Sequence, residues 1–101
     1  QVLFAKLLTE QLPENLNTIY LVNSGAEATE GSMKLAKRYT TRSEIIYCKN
    51  AYHGSTQGAL SVMGDEHFKN AFRPLLPNTR MIRYGELNDL DFITTKTAAI
   101  I

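Results

Sequence analysis

The apolar residues Ile19, Tyr20, Leu21 and Val22 run without a spacer into Asn23-Ser24-Gly25-Ala26-Glu27, and that junction narrows the local fold more than any other feature of the chain. A short apolar run bounded by polar residues has the pattern of a strand covered on both faces. Ser24 followed three residues later by Glu27 is a capping box, in which the hydroxyl accepts from the Glu27 N–H and the carboxylate reaches back to the N–H of Ser24. A helix therefore starts at Ser24. Beyond it Ala28, Ser32, Leu35 and Tyr39 recur at helical spacing, with Ala36 beside them, and form a narrow stripe expected to lie on a sheet. Glu27 and Glu30 in the first turns and Lys37 and Arg38 in the last complement the helix dipole, and Glu30 to Lys34 is a favourable i,i+4 pair.

A strand, a turn and a helix in that order leave backbone N–H groups unpaired at the positive end of the helix dipole, where anions bind readily. Gly25 permits close backbone approach and Ser24 adds a hydroxyl, so the turn has the means to hold one phosphate group. A capping box that only closes the junction accounts for the same residues. A second motif is needed to make the turn a site.

Composition excludes several classes of function. With 101 residues, 44% of them hydrophobic and 21% charged, and a net charge of +1, the chain builds one core at most and has no electrostatic bias towards nucleic acid or a membrane surface. No apolar run approaches the roughly 20 residues of a membrane span, the first residues lack the pattern of a signal peptide, and the expected location is the cytoplasm. The single cysteine, Cys48, ends the apolar run Ile45-Ile46-Tyr47 and reads as a small buried hydrophobe rather than a nucleophile. The start at Gln1 and the finish in Thr97-Ala98-Ala99-Ile100-Ile101, an apolar run with strand character, give the expectation of a segment incomplete at both ends.

Taken in order, residues 1–11 place Leu3, Phe4, Leu7 and Leu8 on one face of an amphipathic helix that serves packing. Residues 13–17 link it to the first apolar run. After a connection at residues 40–43, residues 44–48 supply a buried strand, followed by a loop, 49–56, that carries Tyr52, His53 and Gly54 at the strand's C-terminal end, the edge at which open α/β sheets bind ligands. Residues 57–63 read as a short helix closed by Gly64, and residues 65–72 as a polar amphipathic piece in which Phe68 and Phe72 can meet at i,i+4. Further strands are expected at 80–84 and 97–101, with a short helix at 88–93 between them. Strands alternating with helices imply an α/β fold with a mostly parallel sheet.

Asn23-Ser24-Gly25-Ala26-Glu27-Ala28, Lys34-Leu35-Ala36-Lys37-Arg38, Ala51-Tyr52-His53-Gly54 and Gly58-Ala59-Leu60-Ser61, in this order and spacing, resemble the class III aminotransferases, the family of ornithine, acetylornithine and ω-amino acid enzymes. The resemblance covers nearly the whole chain. It implies that residues 1–101 are part of the large, cofactor-binding α/β/α domain of a fold-type I enzyme dependent on pyridoxal 5'-phosphate, a cytoplasmic homodimer that transfers an amino group from an amino acid or ω-amine to a 2-oxo acid. It further implies that the N–H groups of Gly25 and Ala26, with the Ser24 hydroxyl, hold the cofactor phosphate and that the Tyr52 ring stacks on the pyridine face. His53 is placed beside the cofactor, lining the substrate pocket or orienting the loop, and is not assigned as a base.

No residue here takes a catalytic or metal-binding role: the Schiff-base lysine and the aspartate facing the pyridine nitrogen are expected beyond Ile101, and Lys34 and Lys37 read as solvated charges. Family members acting on acetylornithine commonly have arginine after the aromatic-His-Gly triplet, where this chain has Ser55. A hydroxyl cannot replace the guanidinium fork on a carboxylate, which points to an ω-amino acid or amine donor. The competing class is a non-enzymatic α/β module that binds a phosphate ligand or a partner through the same turn. The resemblance also fixes an expected strand order, with residues 44–48 between 80–84 and 97–101, all parallel, and residues 18–22 paired with none of them.

Overall fold

The computed structural model describes all 101 residues. Its sheet is built on β1 (Glu44–Cys48), whose Ile45, Ile46 and Tyr47 are buried in succession because both faces of the strand are covered. β2 (Thr79–Ile82) and β3 (Thr97–Ile100) flank it in the order β2-β1-β3, both parallel to β1. Ile45 is paired with Thr79 on one side and Ala99 on the other, with a register irregularity between Glu44 and Ile45 on the β3 side. This is the expected order.

β2 stops at Ile82 instead of reaching Tyr84, because the Arg83 N–H donates to the Asp89 carboxylate at 2.7 Å rather than to a neighbouring strand. Asp89 belongs to a 3-10 segment, Leu87–Phe92, which replaces the expected helix, and it also accepts from Arg83 Nε at 3.1 Å and Nη2 at 2.8 Å. Hydrogen bonds from the Arg83 side chain and backbone pull the Asp89 carboxyl down to about 2. Since the folded value lies below the ordinary 3.8, this contribution to stability is complete above that value and is lost as the pH falls through about 2. Urea denaturation of the protein across this acid range should show a shallower loss of stability for Asp89→Asn than for the parent; identical acid limbs would remove Asp89 from the account.

Helix α2 (Gly25–Thr40) begins as expected, with Ser24 Oγ accepting from the Glu27 N–H at 3.1 Å, and ends at Thr41 in the left-handed region. The reciprocal half of the cap differs: the Glu27 carboxylate accepts from Asn23, at 2.6 Å, not from Ser24. The buried face differs as well. Met33 joins Ile45, Tyr47 and Val62 in the core, with Ala98, Ala99 and Ile101 against them, and Ala26, Thr29, Glu30, Ala36, Lys37 and Thr40 lie part-buried along the same side. Leu35 and Tyr39 of the expected stripe are 69% and 88% exposed. The helix is rotated because Ala26 and Glu30 both engage the loop after β1, as described below, and Met33 follows them on that side at helical spacing.

Residues 18–22 belong to no ladder, and the expected strand covered on both faces is not formed: Tyr20 and Leu21 are exposed. The expectation that they pair with none of the other strands holds, and without a partner an apolar run has nothing to make it a strand. Helix α1 (Val2–Thr9) also forms without its expected packing, since Leu3, Phe4, Leu7 and Leu8 all remain open to solvent. Cys48 is half-buried at the end of β1. No helix is long and apolar enough to cross a membrane.

Candidate functional site

The first turn of α2 presents its donors outward. The N–H groups of Gly25 and Ala26 precede any helical acceptor, and a Cβ built on Gly25 would meet nothing within 4 Å. Ser24 Oγ accepts from Glu27, which leaves its O–H free to donate in turn. The turn therefore carries three donors, two N–H groups and one O–H, that no helical acceptor takes.

The loop after β1 is pinned at its base. Asn50 adopts φ 65°, its N–H donates to the Gly64 carbonyl at 3.0 Å, and the Gly64 N–H donates to the Ala51 carbonyl at 2.8 Å. Gly64 is required here, because a Cβ would run into the backbone of Asn50, Ala51 and Cys48. Residues 51–63 thus form a closed excursion that includes helix α3 (Gln57–Ser61). At its tip Gly54 has φ 122°, and a Cβ there would come within 2.6 Å of the Ala26 Cβ. The two motifs, far apart in sequence, meet face to face at Ala26 and Gly54.

On either side of that contact the side chains diverge. Tyr52 is 66% exposed, its hydroxyl lies 3.2 Å from Ser55 Oγ, and its ring meets Phe68 edge-on at 6.3 Å. With Ser55, Gln57, Leu60, Met63, Phe68 and Phe72 it lines a hollow of about 440 Å³. Phe68 and Phe72 do not stack as a pair; they sit in two successive 3-10 turns, Glu66–Phe68 and Asn70–Phe72, and both border this hollow. His53 turns inward instead, its Nε2 enclosed without a partner, while its backbone N–H donates to Met63 Sδ at 3.4 Å. Burial lowers the His53 pKa and so favours the neutral ring.

Glu30 is the residue that sequence reasoning misplaced. The expected pair with Lys34 does not form; Oε1 of Glu30 instead accepts from the Thr56 hydroxyl at 2.7 Å and from the N–H groups of Gly58 and Ala59 at 2.8 and 3.0 Å. The available signal was Gly58, where a Cβ would meet Glu30 Oε1 at 2.6 Å and Cδ at 2.7 Å. Chemically, the assembly offers donors for an anion at one end, an exposed aromatic ring beside an apolar hollow, and an imidazole whose Nε2 is enclosed. It contains no nucleophile paired with a base.

Residues 1–100 match the family described as aminotransferase class-III. The chain is 40% identical over 102 aligned positions to an acetylornithine aminotransferase of Methanothermobacter thermautotrophicus, in a match covering all of this chain and 26% of that protein. Among solved structures it is similar to the ornithine aminotransferase of Toxoplasma gondii, with a TM-score of 0.85 and 25% identity over 95% of this chain and 25% of that one. It is also similar to an adenosylmethionine-8-amino-7-oxononanoate aminotransferase of Methanocaldococcus jannaschii, with a TM-score of 0.83 and 29% identity over 98% of this chain and 26% of that one. The chain spans about a quarter of the length of these relatives.

Proposed function

The chain belongs to the class III aminotransferases, and from that premise we propose that residues 1–101 form the part of a pyridoxal-phosphate-dependent enzyme's large domain that holds the cofactor phosphate and covers its ring. The enzyme transfers an amino group from an amino acid or ω-amine to a 2-oxo acid. The observation that carries this reading is the contact of Gly54 with Ala26, which sets the ring-covering loop directly on the anion-binding turn. The residues fit the cofactor: open space above Gly25 for a phosphate, an exposed Tyr52 ring for a flat heterocycle, and an enclosed His53 Nε2 still lacking a partner.

When bound, pyridoxal phosphate supplies the electron sink that makes amino-group transfer possible. The Gly25 and Ala26 N–H groups and the Ser24 O–H bind its phosphate at the positive end of α2. Tyr52 excludes water from one ring face, and the His53 backbone N–H ties the loop to Met63 Sδ. None of these residues moves the reacting proton. Ser55 shares its hydroxyl with Tyr52 and offers no guanidinium for a substrate carboxylate, which favours an ω-amino acid or amine donor over acetylornithine, although acetylornithine enzymes stand among the relatives. We further place the enzyme in the cytoplasm as a homodimer; the exposed apolar faces of α1, Leu35 and Tyr39 are surface for the remaining domain and a second subunit to cover.

Titrating the full-length apoenzyme with pyridoxal phosphate tests the assignment. Tyr52→Phe should leave the affinity nearly unchanged, while Tyr52→Ala should weaken it by about 1 kcal/mol, or roughly fivefold. Equal losses in both variants would transfer the role from the ring to the hydroxyl.

A further inference from the structure

Helix α3 is five residues long, and its N-cap residue, Thr56, makes no side-chain capping bond of its own. The donors that an N-cap residue ordinarily satisfies are the N–H groups of the second and third helical residues, here Gly58 and Ala59. Both are taken by Oε1 of Glu30, and the Thr56 hydroxyl donates to the same oxygen. A carboxylate from a different helix therefore caps α3. It stands where the partial positive charge of the helix start favours an anion.

Its place on α2 gives the cap a second consequence. Glu30 lies one turn after Ala26 on the same face, and Ala26 is the residue that Gly54 touches. The loop carrying Tyr52 and His53 is thus tied to α2 at two points, by van der Waals contact at Gly54 and by the carboxylate at the start of α3. The contact at Ala26 is non-directional, whereas the three hydrogen bonds to the carboxylate fix a direction as well as a distance. Gly58 matches this arrangement, because any Cβ there would displace the carboxylate.

We propose that Glu30 is a positioning residue that sets the height and tilt of the Tyr52–His53 loop over the Gly25–Ala26 turn, so that one cofactor is held by phosphate and ring together. It touches no cofactor atom and acts through α3. The proposal rests on the pyridoxal-phosphate reading above.

The test uses the full-length enzyme, with Glu30→Ala, Glu30→Gln and Thr56→Val. Two quantities are read: the dissociation constant of pyridoxal phosphate from the apoenzyme, and the visible circular dichroism per bound cofactor, which reports the ring's fixed orientation and does not follow overall stability. Glu30→Ala loses all three bonds and should raise the dissociation constant about tenfold and reduce the dichroism. Glu30→Gln keeps an acceptor oxygen for the same donors and should stay within about threefold of the parent with its dichroism preserved. Thr56→Val loses one bond and should reduce the dichroism without unfolding the enzyme. A Glu30→Ala enzyme that keeps both quantities at the parent's values would overturn the proposal, and if Glu30→Ala yields no folded enzyme, unchanged dichroism in Thr56→Val would do so. A parent enzyme that takes up no pyridoxal phosphate would instead overturn the cofactor assignment itself.

Discussion

Gly54→Ala in the full-length enzyme is expected to lower stability by about 2–5 kcal/mol and to weaken pyridoxal phosphate binding at the same time. Two independent costs act at this position. A φ of 122° lies in a region that residues with a Cβ avoid. The new methyl would also sit 2.6 Å from the Ala26 Cβ, 2.9 Å from the Ala26 Cα and 3.3 Å from the Ala59 Cβ. Neither neighbour can yield cheaply, since Ala26 is in the first turn of α2 and Ala59 is inside α3, so the loop must lift off the turn. Gly25→Ala is the contrasting control. Its Cβ meets nothing within 4 Å, and at the first helical position alanine should raise stability by about 0.4–1 kcal/mol. If a phosphate approaches the backbone there, the same methyl weakens binding. Urea unfolding of the apoenzyme and cofactor titration of both variants separate the two effects, and a Gly54→Ala enzyme with parental stability would show that the loop is not clamped to α2.

Where one residue type settles the outcome, the sequence was legible. Glu44–Cys48 came out with its expected boundaries because its three large apolar residues find a parallel partner on either side, which the equally apolar residues 19–22 lack. Ser24 capped the helix because few residues can. The face of α2 was not legible: Leu35 and Tyr39 look like the natural core stripe, yet helical spacing is satisfied equally by Ala26, Glu30 and Met33. What chooses between them is Gly54 and the start of α3, contacts made by residues more than two dozen positions later. Glu30 was misread for the same reason. A surface i,i+4 pair is worth a few tenths of a kcal/mol, and three hydrogen bonds to one oxygen outweigh it. The early end of β2 followed from Asp89, whose claim on the Arg83 N–H has no local pattern. Ser24, Gly25, Ala26, Tyr52 and His53 of the candidate site are legible as motifs in the sequence, whereas the Gly54 contact that brings the two motifs together is visible only in three dimensions.

The same blindness hid Lys69, and its replacement by methionine should cost about 3–5 kcal/mol. In sequence it stands in the polar stretch 65–72, where nothing singles it out; in the structure it is 3% exposed. Its Nζ donates to the Tyr47 hydroxyl at 2.9 Å, the Ser61 carbonyl at 3.1 Å and the Met63 carbonyl at 3.2 Å, and lies 4.5 Å from the centroid of the Tyr47 ring. Only Glu66, 3.8 Å away and itself half in solvent, offers a countercharge. Burying an ammonium is expensive, so an apolar side chain of similar length could in principle be neutral or stabilising. It is not expected to be so here, because methionine would remove the donor and leave two carbonyls and a phenol enclosed, each costing about 1–3 kcal/mol when unsatisfied. The loss reaches the site as well: the Ser61 and Met63 carbonyls mark the end of α3, and Met63 Sδ holds the His53 N–H. Tyr47→Phe deletes one of the three acceptors while keeping the ring under the ammonium, and should cost about 1 kcal/mol. In the double variant the Tyr47 hydroxyl no longer waits for a donor, so the two losses should fall short of additive by about 1 kcal/mol. Urea unfolding of the four enzymes gives that coupling directly; strict additivity would mean that Lys69 and Tyr47 do not share the bond, and a silent Lys69→Met would mean that the carbonyls at the end of α3 find other donors.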